Sequence, residues 1–97
     1  MNKIITMLEA EVDEKEWTTL QNAFTLIKAK KLPIMPLQSF LLQLKENPQL
    51  WRIVTVWDST ETLQKMRGSG ETPPGVLMFQ AAGANPALSI FEAKEEM

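Results

Sequence analysis

Two apolar segments of the chain are each followed by the same step, an aspartate with a glutamate three residues later. The first step is Asp13 to Glu16, and the second is Asp58 to Glu61. An aspartate in this position can accept a hydrogen bond from a free amide of the first helical turn, and the glutamate can bond back. The sequence therefore predicts two strands that each lead into a helix, at matching places in the two halves of the chain.

The strands are predicted from alternation and composition. Residues 4–12 alternate, with Ile4, Thr6, Leu8, Ala10 and Val12 on one side and Ile5, Met7, Glu9 and Glu11 on the other. Residues 37–44 are rich in leucine and bounded by prolines, and residues 50–57 are dense in β-branched and aromatic side chains. A turn at residues 46–49 predicts that these two strands form a hairpin, and residues 88–93 alternate as a last strand.

The first helix is predicted from an apolar stripe of Trp17, Leu20, Phe24 and Ile27, which recur at spacings of three and four. The helix after Asp58 is expected to stop at Gly68. Residues 76–82 fit either a short helix or a buried strand. The helix is favoured, because Pro74 suits a first helical turn and Gly83 suits a C-cap.

This order of elements predicts an α+β fold, a ferredoxin-like βαββαβ arrangement with a four-stranded antiparallel sheet. We expect one domain over residues 1–97, with a frayed tail at 94–97. In three of the strands, both faces carry large apolar side chains. In the first strand, Ile5 and Met7 lie on the face opposite to Ile4 and Leu8; in the second, Phe40, Leu42 and Leu44 lie opposite to Leu37 and Leu41; in the third, Val54 and Val56 lie opposite to Trp51, Ile53 and Trp57. A sheet with helices on one face only would leave the other apolar face in water, so the sequence predicts a homodimer through that face.

Composition excludes several kinds of chemistry. The chain has no cysteine and no histidine, which excludes disulfides, thiolate nucleophiles, and metal sites and catalytic machinery built on either residue. Ten basic and twelve acidic side chains give a net charge of −2 without a basic stripe, so nucleic acid is not an expected partner.

No signal peptide and no apolar run of about 20 residues is present, which predicts a cytoplasmic protein with no membrane contact.

The chain resembles the antibiotic biosynthesis monooxygenase family over residues 3–93. The resemblance lies in the opening strand at residues 4–12, the aromatic-ended segment 51–57, and the Trp57-Asp58-Ser59 junction. It implies a dimeric α/β barrel made of two ferredoxin-like sheets packed face to face. It also implies membership of a group that contains cofactor-independent monooxygenases of aromatic polyketides and haem-degrading enzymes. The haem-degrading members use a histidine to ligate iron, and this chain has none.

Two functional hypotheses remain open from the sequence. One is a cofactor-independent monooxygenase acting on a small aromatic or hydrophobic molecule, with no cofactor and no metal. The alternative is a non-catalytic homodimeric binding or interaction module for an unidentified ligand. In either case Trp17, Trp57 and Met66 are the candidate residues of a pocket between helices and sheet, because indoles stack on flat aromatic molecules.

Second-rank candidates are Trp51, Arg52 and Glu9. Glu9 and Glu11 share a face of the first strand and could form a general acid/base pair if both were buried. A solvated or ion-paired role is the favoured interpretation, with Arg52 on a neighbouring strand as a candidate partner. No catalytic residue is assigned.

Overall fold

The computed structural model describes residues 2–30, 32, 34–68, 70 and 72–97. In chain order the elements are β1 (Ile4–Glu11), a 3-10 turn (Glu14–Glu16), α1 (Trp17–Ala29), β2 (Gln38–Gln43), β3 (Leu50–Trp57), α2 (Thr60–Arg67), α3 (Pro74–Ala81) and β4 (Ala87–Glu92). The predicted βαββαβ order is confirmed, with α2 and α3 together in the place of the second helix.

The four strands form one antiparallel sheet in the order β2-β3-β1-β4, as the sequence predicted. The register places Ile4 opposite Trp57 and Leu8 opposite Ile53, so the buried side chains of the two central strands share one face. The helices cover this face. The opposite face, called the open face below, carries the apolar side chains Ile5, Met7, Phe40, Leu42, Val54, Val56 and Phe91.

Five strand ends, one in β1 and two each in β2 and β4, differ from the prediction by one residue. β1 ends at Glu11 because the Val12 amide donates to the carbonyl of Gln49, outside the ladder. β2 excludes Leu37 and Leu44, although the amide of each donates a single hydrogen bond to β3. β4 covers Ala87–Glu92 rather than residues 88–93.

Both predicted helix starts need correction. The Asp13 carboxylate accepts from the Lys15 amide at 3.2 Å, whereas the Glu16 amide donates to the Asp13 carbonyl, so a 3-10 turn precedes α1. The cap of α2 is Ser59 and not Asp58, since the Ser59 hydroxyl accepts from the Thr62 amide at 3.2 Å. Ser59 itself is extended, and the helix begins at the next residue, Thr60.

The helical interpretation of residues 76–82 is confirmed by α3. Gly83 ends it with a φ of +74°, a left-handed conformation that glycine adopts without strain. The Ala84 amide donates to the Phe79 carbonyl and the Gly83 amide to the Gln80 carbonyl. These two bonds form a Schellman motif, which turns the chain towards β4.

Among the described residues, the buried apolar side chains form two separate clusters. The larger lies between α1, α3 and the sheet and contains the fully buried Val12, Leu20 and Phe79. The predicted stripe of α1 is confirmed, because its other aromatic and aliphatic members pack against this cluster. The smaller cluster joins Ile4 and Trp57 of the sheet to Leu63 of α2.

Candidate ligand-binding cavity

A cavity of about 560 Å³ lies on the helix-covered face of the sheet. Leu8 and Ile53 of the larger core cluster and Trp57 and Leu63 of the smaller one all line it, so it occupies the space between the two clusters. Its size falls within the range of about 300–1,000 Å³ that is typical of small-molecule sites.

Most side chains around the cavity are apolar. The sheet supplies the floor through Leu8, Ile53, Trp57, Leu88 and Ile90, while the walls include Phe24, Ile27, Ile34, Leu63, Met66, Val76, Leu77 and Met78. Gly75 lets the start of α3 approach the sheet closely, because a Cβ at this position would lie 2.6 Å from Leu8 Cδ1. A surface of this kind removes apolar ligand area from water and so favours binding of an apolar molecule.

Trp57 and Met66, two of the predicted pocket residues, both line the cavity. Trp57 is buried, and its indole Nε1 donates to Thr6 Oγ1 at 3.1 Å, which fixes the ring in the floor. Met66 of α2 is half-buried and packs against the cluster that contains Trp57.

Trp17 is not among the described residues that line the cavity. Its Nε1 donates to the Val12 carbonyl at 2.9 Å, and its ring centroid lies 6.1 Å from that of Trp51. Both indoles belong with the larger core cluster. The Trp51 Nε1 is buried and has no hydrogen-bond partner among the described residues.

Arg52 and Glu9 lie on the open face, away from the cavity. The Arg52 Nε donates to Glu9 Oε1 at 2.5 Å, and each side chain keeps 40% of its surface exposed. Glu9 is therefore ion-paired and half exposed, and Glu11 is exposed, so the two carboxylates do not form the buried pair that acid/base chemistry would need. Half-exposed pairs of this kind contribute little to stability, about 0–1 kcal/mol.

The floor also holds three hydroxyl groups that were not selected from the sequence. Ser39 lies opposite Thr55, and Thr55 lies opposite Thr6, so the three residues form one row across β2, β3 and β1. Ser39 Oγ and Thr55 Oγ1 are 3.1 Å apart, within hydrogen-bonding distance. The signal available in the sequence was the inward position of Thr6 and Thr55 among apolar neighbours, but joining them required the register of strands distant in the chain.

The described residues that line the cavity include two with charged side chains, Lys28 and Arg67, and both are basic. Across the described residues, no group of three or more potential metal-ligating side chains occurs.

The pKa of Glu92, which is not a described lining residue, lies below its usual value. Lys94 and Asn2 donate hydrogen bonds to its carboxylate, and the Lys94 charge favours the ionised form. Within the described part of the chain, none of the helices has the length and apolar character needed to cross a membrane.

No protein-family model and no curated protein matches the chain. Solved structures do match. A candidate antibiotic biosynthesis monooxygenase from Deinococcus radiodurans is 14% identical, with a TM-score of 0.73 over 97% of this chain and 95% of that one. The cofactor-independent oxygenase SnoaB from Streptomyces nogalater is 12% identical, with a TM-score of 0.71 over 100% and 98%.

A haem-degrading protein from Mycobacterium tuberculosis is also similar, at 20% identity and a TM-score of 0.72 over 99% of this chain and 96% of that one. Proteins of different activities thus share this arrangement of strands and helices, and at such low identities the likeness extends to the fold alone. The chain accordingly has the ferredoxin-like fold of proteins described as antibiotic biosynthesis monooxygenases, and the resemblance expected from its sequence is confirmed at that level.

Proposed function

We propose that this protein binds a small, largely apolar molecule in the cavity between the sheet and the helices. The observation that carries the proposal is the cavity itself, about 560 Å³ in volume and lined mainly by aliphatic and aromatic side chains. Trp57 and Met66 are the proposed contacts, because an indole offers a flat apolar surface and a thioether side chain adapts to varied shapes.

Narrowing the cavity should weaken this binding. Leu77 lines the cavity from α3 but is half exposed, so Leu77→Trp adds bulk without replacing a buried core residue. We expect the affinity for 2-ethylnaphthalene, measured by equilibrium dialysis, to fall about tenfold or more, since contacts of a bicyclic ligand are lost.

Gln80→Trp is the matched control, because Gln80 is exposed on the same helix and is not among the described lining residues. The affinity of Gln80→Trp for 2-ethylnaphthalene should equal that of the unsubstituted protein. Equal losses in both variants, or no saturable binding to the unsubstituted protein, would count against the proposal.

Cofactor-independent oxygenation of the bound molecule is the second candidate function. The fold likeness to SnoaB, a cofactor-independent oxygenase, supports it. Such a reaction needs a substrate that itself supplies electrons to dioxygen, such as a hydroquinone or an anthrone. Oxygen uptake with a panel of these compounds tests it: uptake that Leu77→Trp abolishes would support an enzyme, and zero turnover with intact binding would leave a binding protein.

We also propose that a second copy of the chain covers the open face. Phe40 and Leu42 of β2 are each 44% exposed and Phe91 of β4 is 52% exposed, with half-buried Met7 and Val54 between these edges. A contiguous apolar surface of this kind is unusual on a monomer, and an identical subunit related by a two-fold axis would bury both patches together.

Val54→Lys places a charge at the centre of the open face, directly opposite both Met7 and Phe40. Desolvating this charge would be costly, so we expect sedimentation at micromolar concentration to change from the mass of two chains to that of one. Leu26→Lys, on the exposed side of α1, should remain a dimer. A monomeric unsubstituted protein under the same conditions would refute the proposed dimer.

A further inference from the structure

The hydroxyl row of Ser39, Thr55 and Thr6 crosses the floor of a mainly apolar cavity. On one side of the row lie Ile53 and Leu8, and on the other lies Trp57. A ligand resting on this floor therefore meets hydrocarbon on both sides of a narrow polar strip. What the strip can bind depends on which of its protons are already used.

Each hydroxyl carries one proton to donate. Thr6 Oγ1 accepts from the Trp57 indole, so that bond does not use the Thr6 proton. Ser39 and Thr55 share one hydrogen bond, in which one hydroxyl donates and the other accepts. The bonds seen among the described residues therefore use one hydroxyl proton of the three and leave two available to a ligand.

The charged side chains point to the same ligand chemistry. Lys28 and Arg67 can only donate hydrogen bonds, and no carboxylate occurs among the described lining residues. The Trp57 N–H in the floor already donates to Thr6. Both basic side chains are exposed, so the protons that face the apolar part of the cavity are those of the hydroxyl row, and no carboxylate among the described lining residues competes for them.

We propose that the ligand carries a ketone-type carbonyl oxygen that accepts from the hydroxyl row, with its apolar body between Trp57 and Ile53. This inference rests on the proposed function and specifies its ligand class. An aliphatic or aromatic ligand without such an oxygen would cut the row's protons off from solvent and leave them facing hydrocarbon without an acceptor, which costs binding free energy.

The test compares two ligands of nearly the same shape by equilibrium dialysis. 2-Acetylnaphthalene has a carbonyl where 2-ethylnaphthalene has a methylene. Two neutral hydrogen bonds predict about tenfold tighter binding of the ketone to the unsubstituted protein. The double variant Ser39→Ala/Thr55→Val removes the shared pair, so it should bring the ketone preference below about threefold. Its affinity for 2-ethylnaphthalene should rise, because fewer hydroxyl protons are left without an acceptor when this ligand binds.

Thr25→Val is the matched control, because the Thr25 hydroxyl donates to the Gln21 carbonyl on α1 and Thr25 is not a described lining residue. The Thr25→Val variant should keep the full preference for the ketone over 2-ethylnaphthalene. Thr6→Val is less suitable as the primary variant, since it leaves the buried Trp57 N–H without its acceptor and would lower stability.

Equal affinities of the unsubstituted protein for the two ligands would overturn the inference while leaving the proposed function intact. A preference that survives the double substitution would also overturn it, because the selectivity would then arise elsewhere. Binding of neither ligand would overturn the proposed function itself and the inference with it.

Discussion

Leu20→Ala is expected to lower the free energy of unfolding by about 3–4 kcal/mol. Leu20 is completely buried on α1, in the cluster that holds α1 and α3 against the sheet, so truncation removes apolar contacts and leaves a void that the surrounding core fills only in part. The loss is a large share of the stability of a small domain, about 5–15 kcal/mol. Urea denaturation followed by circular dichroism measures it.

The chain offers a matched control on the same helix. Leu26 is 67% exposed, and Leu26→Ala makes the same chemical change at a position with little buried area. Its unfolding free energy should stay within about 0.5 kcal/mol of the original value. Similar losses in the two variants would mean that α1 does not pack through its predicted stripe.

Trp57→Ala is expected to cost about 3–5 kcal/mol and to damage folding before any effect on ligand binding can be read. Trp57 is 6% exposed, joins the sheet to Leu63 of α2, and donates a hydrogen bond to Thr6. Thermal or urea denaturation, recorded beside ligand affinity, measures both consequences in one preparation.

Trp57→Phe separates the structural role from the binding role. It keeps an aromatic ring in the floor and removes the N–H, so we expect a loss of stability about half as large as that of Trp57→Ala. If Trp57→Ala kept its melting temperature and lost only ligand binding, the side chain would serve the ligand and not the core.

Local signals in the sequence were sufficient for the strands and helices. Alternation with a period of two placed Ile4 and Leu8 on the inward face of β1, and the bounds of β3 agree with the predicted segment 50–57. The turn chemistry of Pro74 and Gly83 separated helix from strand for α3. Errors were confined to element ends, where single hydrogen bonds decide the assignment.

The cavity could not be predicted in the same way, because it depends on which ends of the elements meet. Trp51 and Trp57 share the inward face of β3 but are six residues apart, or about 20 Å along the strand. Periodicity places Trp17 on the inward side of α1, but it does not indicate whether Trp17 packs near Trp51 or near Trp57. In the structure it packs on Trp51, at the end away from the cavity.

The hydroxyl row required information that no local pattern contains. Thr6 and Thr55 become neighbours only through the pairing of β1 with β3, which joins residues far apart in sequence. The assignment of residues 1–97 to one domain, the frayed tail and the cytoplasmic location stay predictions.

The central claim is that a small apolar molecule binds beside Trp57. The chain has three tryptophans, whose indole N–H groups lie in different surroundings and should give separate signals in a ¹H–¹⁵N correlation spectrum. On titration with 2-acetylnaphthalene we expect the Trp57 signal to shift progressively to saturation while those of Trp17 and Trp51 stay in place. Three unmoved signals, or shifts confined to Trp17 and Trp51, would contradict the account.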